Sequence, residues 1–183
     1  HMDHAYSLAV EKLLDIELPD RVEYIRVIIS ELQRIASHLV AIGTFGLDVG
    51  AITPFTWTIS DRERILDLFE ALCGARLLYN YIWPGGVSHD LPPKFIDRTI
   101  EFLDYFDKKY DEYNELLTGN PIFVERTADV GVVPVDVGIN YGISGPSLRA
   151  SGVDYDLRKT EPYSIYDKFE FDIPVGEGKM GTV

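Results

Sequence analysis

The chain has little cysteine, little positive charge and no long apolar run. Its one cysteine, Cys73, excludes an internal disulfide and a CxxC metal site within these 183 residues. No apolar stretch approaches the roughly 18 residues that span a bilayer. The HExxH, P-loop and dinucleotide-binding motifs are also missing. Acidic residues outnumber Lys and Arg by 30 to 17, and the net charge of −13 disfavours nucleic acid as a partner.

The composition is that of a folded domain. Hydrophobic residues make up 46% and charged residues 26% of the chain, which is typical of a globular protein rather than a disordered one. A length of 183 residues suits one domain. His1 and Met2 resemble a tag remnant, and both ends look cut. We therefore expect one domain over residues 3–183 that is the central part of a longer protein.

Apolar residues recur every three or four positions in four segments, the pattern of amphipathic helices. The predicted helices cover residues 3–16, 20–42, 60–82 and 94–118. In the first helix the apolar residues share one face, which predicts that they point to the core: Ala5, Leu8, Ala9, Leu13 and Ile16.

Local chemistry predicts where these helices begin and end. The glycines between 43 and 50 are expected to end or loosen the second helix. Ser60 and Glu63 have the spacing of a capping box, so the third helix is expected to begin at Ser60. The sequence Trp83-Pro84-Gly85-Gly86 is expected to stop it.

The character of the sequence changes after residue 120. Residues 131–152 are rich in glycine and irregular, which predicts long loops with one short helix near Val135–Asn140. Residues 168–175, KFEFDIPV, alternate between apolar and charged side chains, which predicts a strand. The fold is thus expected to be mainly α, with a helical bundle over 3–120 and a loop-rich part with a β tail over 121–183.

One carboxylate, Asp48, lies in the segment GTFGLDVGAITPF (43–55). It is the only Asp, Glu, Lys or Arg between Ile35 and Ser60. An unpaired buried carboxylate costs several kcal/mol or becomes protonated. Asp48 is therefore expected to reach water, to cap a helix or pair with an arginine, or to serve a ligand site.

Two other polar groups are candidates for chemistry. Glu31, Arg34 and His38 are spaced three and four apart, which suits a proton relay or an ordinary solvated helix face. The spacing alone favours the solvated face. Arg149 and Arg158 lie in a loop with three cations and two aspartates. That loop is interpreted as an ion-pair network, or as the lining of a polar pocket or a protein interface.

Five separated blocks of the sequence follow one another with the spacing of a known family. They are HAYSLAVEKLL (4–14), YIRVIISELQRIASHL (24–39), LDVGAITPF (47–55), PGGV (84–87) and SGPSLRASGVDYDLRKTEPYSIYD (144–167). These blocks resemble the quinone-site subunit of respiratory complex I, which is the D-type subunit of the bacterial enzyme and the 49-kilodalton subunit of the mitochondrial one. The family also includes archaeal dehydrogenases and is distantly related to the large subunit of nickel-iron hydrogenases.

The resemblance implies a helical bundle of the hydrogenase-large-subunit type in a proton-pumping NADH:quinone oxidoreductase. The protein would lie peripherally on the cytoplasmic side of the inner membrane. It would contact an iron-sulfur small subunit with a 4Fe-4S cluster, together with other peripheral-arm and membrane subunits. Quinone would be the substrate. The chain itself would bind no cofactor or metal and would be inactive in isolation.

Residue by residue, the resemblance assigns Asp48 to the quinone cavity. There it would partner a histidine that lies outside this chain. Arg76 and Trp83, together with Arg149 and Arg158, are the interface or pocket candidates.

The sequence also departs from the family pattern at two positions. Leu78 stands where many members have a histidine after GAR, and Trp83 replaces the frequent arginine before PGGV. These departures move the chain toward other branches of the family. Two alternatives therefore stay open: a helical scaffold without chemistry, and the catalytic subunit of a membrane-bound hydrogenase or archaeal dehydrogenase.

Overall fold

The computed structural model describes residues 1–176. It divides the chain into two units, His1–Leu117 and a second one that starts at Thr118. The first unit contains helices α1 (Met2–Leu14), α2 (Asp20–Asp48) and α3 (Ile52–Cys73), strands β1 (Ile82–Trp83) and β2 (Gly86–Val87), and helix α4 (Phe95–Leu116). The second contains helices α5 (Pro121–Thr127), α6 (Val135–Asn140), α7 (Gly145–Ala150) and α8 (Leu157–Thr160), and a 3-10 turn (Tyr166–Lys168).

The core of the first unit lies between the three long helices. Helices α2 and α3 pack along each other, and α4 packs on α3. Each buried Leu, Ile or Phe of this core contributes about 1.5–3 kcal/mol of hydrophobic stabilisation. The core side chains follow the three-four rhythm of the sequence: Ile25, Ile29, Leu32, Ala36 and Leu39 from α2, Ile65, Leu68, Phe69 and Leu72 from α3, and Phe95 and Phe102 from α4. The prediction of a mainly α fold is confirmed.

The buried face of α1 is polar, opposite to the prediction. His4, Ser7 and Glu11 are buried, whereas Leu13 is 84% exposed. The side chains predicted to point inward are exposed or half-buried: Ala5, Leu8, Ala9, Leu13 and Ile16. The physical reason is Arg26 of α2, which is fully buried and pairs with Glu11. A buried guanidinium needs a carboxylate, and this turns the polar face of α1 inward.

The junction of α2 and α3 lies elsewhere than predicted. Helix α2 continues through Gly43 and Gly46 to Asp48, and α3 begins at Ile52 rather than Ser60. The capping-box spacing of Ser60 and Glu63 is therefore internal to a helix, and the prediction based on it is wrong. Pro54 lies in the first turn of α3, where a missing N–H costs no helical hydrogen bond.

Helix α3 also ends earlier than predicted. Gly74 ends it, with a left-handed φ of 74° that glycine adopts readily. The Pro84-Gly85 pair instead forms the turn of a small antiparallel hairpin, with Ile82 opposite Val87. Gly85 has a φ of 89°, which a proline–glycine turn requires. Among residues 1–176, no helix is both long and apolar enough to cross a bilayer.

Residues 118–176 of the second unit form short helices joined by loops. Asn120 caps α5 by accepting hydrogen bonds from the N–H groups of Ile122 (2.9 Å) and Phe123 (3.4 Å). The short helix predicted near Val135–Asn140 is observed with those bounds. The strand predicted over 168–175 is not found in the described part of the chain. An alternating segment forms a strand only when a neighbouring strand completes its hydrogen bonds.

Candidate functional site

Asp48 is the last residue of α2 and is exposed. Backbone hydrogen bonds fix the turn that follows it. The N–H of Gly50 donates to Leu47 O over 2.9 Å, and the N–H of Ala51 donates to Gly46 O over 2.7 Å. Gly50 has a φ of 88°, in the left-handed region. The expectation that Asp48 reaches water at a helix end is met by this geometry.

The surroundings of Asp48 are apolar. Phe45, Leu47 and Ile52 are exposed on the same junction. Among residues 1–176, the Asp48 carboxylate makes no hydrogen bond or ion pair. It does not cap α3 either, because the N-cap residue there is Ala51 and no side chain caps the helix. A carboxylate at a helix C-terminus is disfavoured by the helix dipole, so the position adds nothing to the stability of α2.

Glu31 and Arg34, the first two residues of the stripe Glu31, Arg34 and His38, form an ion pair. Arg34 donates to Glu31 through Nε (3.0 Å) and Nη2 (3.3 Å), and both side chains are about one-third exposed. His38 is exposed on the same helix. His38 and Asp48 are separated by about 15 Å along α2 at the helical rise of ~1.5 Å per residue. The structure thus shows the local ion pair that the spacing favours, while a relay role remains a prediction.

Arg76 is committed to local ion pairs. Its guanidinium donates to Asp67 (2.6 Å), to Glu70 (2.6 Å) and to Glu63, all of them acids of α3. These hydrogen bonds, led by the one to Asp67, raise the pKa of Arg76. The three ion pairs hold the Arg76 side chain, in the loop after α3, against the side of α3.

The loop between α3 and β1 turns apolar side chains outward. Leu78 is 88% exposed, and Leu77 and Trp83 are exposed as well. The Trp83 indole N–H donates to Asn80 Oδ1 over 2.8 Å, which orients the ring. Leu77 and Leu78 lie on the loop and Trp83 is the last residue of β1, so the segment 77–83 exposes three large apolar side chains.

Arg149 and Arg158 converge on a single buried carboxylate, Asp156. Arg158 donates to it through Nε (3.0 Å) and Nη2 (2.8 Å), and Arg149 donates through Nη1 (3.1 Å). The side-chain hydrogen bonds of Arg158 lower the pKa of Asp156 to about 2. The geometry matches the interpretation of this loop as an ion-pair network.

Comparison with known proteins identifies the family. Residues 48–181 match the family model described as the respiratory-chain NADH dehydrogenase 49 Kd subunit. The chain belongs to this family. It is 58% identical over 179 residues to the D-type NADH-quinone oxidoreductase subunit of Chlorobaculum tepidum, a match that covers 98% of this chain and 45% of that protein. It is 59% identical over 179 residues to the same subunit of Chlorobium phaeobacteroides, with the same coverage.

A third relative comes from Cytophaga hutchinsonii and is also a D-type subunit of NADH-quinone oxidoreductase. It is 56% identical over 182 residues, and the match covers 98% of this chain and 46% of that protein. The chain therefore spans slightly less than half the length of these relatives. The resemblance drawn from the five sequence blocks is confirmed. Asp48, the residue that the sequence singles out, is the first residue of the 49 Kd family match.

Sequence reasoning missed the buried network that joins α1, α2 and the hairpin in this 49 Kd family member. Arg26 donates to Glu11 over 2.9 and 2.6 Å and to the carbonyls of Trp83 (2.7 Å) and Gly86 (2.8 Å). Glu11 also accepts the N–H of Gly85 over 2.8 Å. The signal in the sequence was an arginine set between Ile25 and Val27, inside the apolar stripe of α2.

A second missed network joins α3 to α4. Asp61 is buried and accepts the hydroxyl of Tyr105 over 2.6 Å and that of Tyr113. Burial raises the pKa of Tyr113, and the hydrogen bond to Asp61 raises it further. Both phenols therefore stay protonated donors near neutral pH. No pattern in the sequence pairs these residues, because Asp61 and Tyr113 lie 52 positions apart.

Proposed function

We propose that this chain contributes the Asp48 side of the quinone site in a proton-pumping NADH:quinone oxidoreductase. The observation that carries the proposal is an exposed carboxylate with no partner among residues 1–176, at a fixed helix junction and flanked by exposed apolar side chains. A quinone has polar oxygens on a flat apolar ring. A surface that combines apolar contact with one polar anchor suits that chemistry.

Reduction of a quinone to a quinol takes two electrons and two protons. A 4Fe-4S cluster in a neighbouring subunit would supply the electrons. Asp48 would hold an imidazole contributed by another part of the full-length protein. A carboxylate beside an imidazole raises the pKa of the imidazole and orients it, which suits a proton donor. Asp48 is thus assigned to the proton chemistry, and the chain needs no cofactor of its own for it.

We further propose the assembly that the names of the relatives suggest. The chain would belong to a helical bundle of the hydrogenase-large-subunit type, on the cytoplasmic side of the membrane complex. It would contact the iron-sulfur small subunit and other subunits of the peripheral arm. The exposed apolar side chains of Leu77, Leu78 and Trp83 support a role in such contacts.

Photolabelling tests the proposed site. A photoreactive quinone analogue is bound to the intact complex, and the labelled peptides of the full-length protein are mapped by mass spectrometry. We expect label on residues 43–57, removed by excess unlabelled quinone. Specific label confined to other parts of the protein would contradict the proposal.

A scaffold role is the second candidate. It is favoured by the two buried networks, around Arg26 and Asp61, which serve to join secondary structure elements. The scaffold hypothesis predicts that the chain binds the iron-sulfur subunit and that label from the quinone analogue never reaches residues 43–57.

A further inference from the structure

Helix α2 lies close to α3 at two glycines, Gly43 and Gly46, and Gly46 is the one next to Asp48. Gly46 is buried two positions before it. A Cβ atom at Gly46 would lie 3.0 Å from Cβ and 3.2 Å from Cγ of Pro54, and 3.3 Å from the carbonyl oxygen of Ala51. These separations are shorter than ordinary van der Waals contacts of about 3.5–4.0 Å. Only glycine therefore fits at position 46 without a shift of the two helices.

The partner in this contact is rigid. Pro54 is fully buried in the first turn of α3, and its ring has no long side chain that could move aside. A backbone hydrogen bond also ties Gly46 to the turn before α3, since the N–H of Ala51 donates to Gly46 O over 2.7 Å. A change of volume at this point must be absorbed by the helices or by the turn that carries Asp48.

We propose that the Gly46–Pro54 contact positions the Asp48 carboxylate for quinone reduction. Gly46 and Pro54 are positioning residues, because they act on the last turn of α2 and not on the substrate. The inference rests on the proposed function of Asp48. The inference adds a second requirement to that function. The reaction needs the Asp48 carboxylate, and it also needs the close contact between α2 and α3 that holds the carboxylate in place. A displacement of a reacting group by about 1 Å can cost up to ~100-fold in rate.

A double-mutant cycle in the intact complex tests the inference. The variants are Gly46→Ala, Asp48→Asn and the two combined. Gly86→Ala is the matched control, because a Cβ atom there meets nothing within 4 Å. The measurements are the rate of NADH-dependent quinone reduction, its pH profile, and the reduction of the iron-sulfur clusters by NADH.

We expect Gly46→Ala to lower quinone reduction about tenfold or more while cluster reduction persists. Its pH profile should shift in the direction seen for Asp48→Asn. The combined variant should be no slower than Asp48→Asn alone, because residues that act as one unit are not additive. Gly86→Ala should keep the parental rate and pH profile.

Three outcomes would overturn the inference. A parental rate in Gly46→Ala, or losses that multiply in the combined variant, would remove the positioning role while the role of Asp48 stands. A parental rate in Asp48→Asn would remove the role of Asp48 itself and the positioning role with it.

If Gly46→Ala fails to assemble, Pro54→Ala removes the ring contact without adding volume, and the same cycle and the same expectations apply to it.

Discussion

The Arg26 guanidinium of α2 lies against the Glu11 carboxylate of α1, with hydrogen bonds of 2.9 and 2.6 Å and almost no exposure of either side chain. Burial raises the pKa of Glu11, but the hydrogen bonds from Arg26 and the Gly85 N–H outweigh it and hold the pKa below its ordinary value. Arg26 also donates to two backbone carbonyls of the hairpin, those of Trp83 and Gly86, and so holds the hairpin in place. The Arg26–Glu11 pair thus joins α1, α2 and the hairpin of the first unit.

Glu11→Gln should destabilise the chain by about 3 kcal/mol or more, because it leaves the Arg26 charge buried without a counter-charge. Urea unfolding followed by circular dichroism measures the change. The control is Glu31→Gln, which breaks the partly exposed pair with Arg34 and should cost about 1 kcal/mol or less. Equal losses in the two variants would contradict the account of the buried pair.

His4 should make the stability depend on pH. Burial, and then the positive charge of Arg26, lower the pKa of His4 from 6.5 to about 4. Between these pH values the unfolded chain binds a proton that the folded chain does not. The free energy of unfolding should therefore fall as the pH falls from 6.5 to 4.

His4→Gln tests this dependence with thermal unfolding at several pH values. The variant should lose part of the decrease in unfolding temperature between pH 6.5 and 4. An unaltered pH dependence in His4→Gln would show that His4 titrates equally in the folded and unfolded chain.

Tyr113→Phe should destabilise the chain by about 1.5–3 kcal/mol, because it removes a hydrogen bond to the buried charge of Asp61. Tyr110→Phe is the matched control on the same helix. Its side chain is exposed, so the change should stay within about 0.5 kcal/mol. Unfolding by guanidinium chloride distinguishes the two, and equal stability of both variants would contradict the assigned role of the Asp61 network.

The long helices could be predicted because their apolar periodicity is strong. Helices α2 and α4 begin where the periodic pattern begins, at Asp20 and Phe95. The inward face of α1 could not be predicted. That face is chosen by a tertiary partner, Arg26, and periodicity within one helix carries no information about the charge that faces it.

The ends of α3 show a second limit. The Ser60–Glu63 spacing is a true capping pattern, but it has no effect when helical residues precede it, as Ile52–Ile59 do. At the other end, the apolar residues after Gly74 continue the pattern, while the left-handed backbone of Gly74 ends the helix. Local signals compete at such points, and packing decides which one prevails.

The candidate site was predictable in part. The absence of other charges between Ile35 and Ser60 singled out Asp48, and its exposed position at a helix end was expected. The contact between Gly46 and Pro54 was not, because it depends on how two helices cross. A glycine inside a helix is a signal of close approach only after the neighbour is known.

The rate of quinone reduction by Asp48→Asn in the intact complex tests the central claim most directly. Asp107→Asn, at an exposed position of α4, is the matched control. We predict that Asp48→Asn lowers NADH-dependent quinone reduction by about tenfold or more, a loss of ~1.4 kcal/mol or more of transition-state stabilisation, while NADH still reduces the iron-sulfur clusters and Asp107→Asn keeps the parental rate. An unchanged rate of quinone reduction in Asp48→Asn would contradict the account.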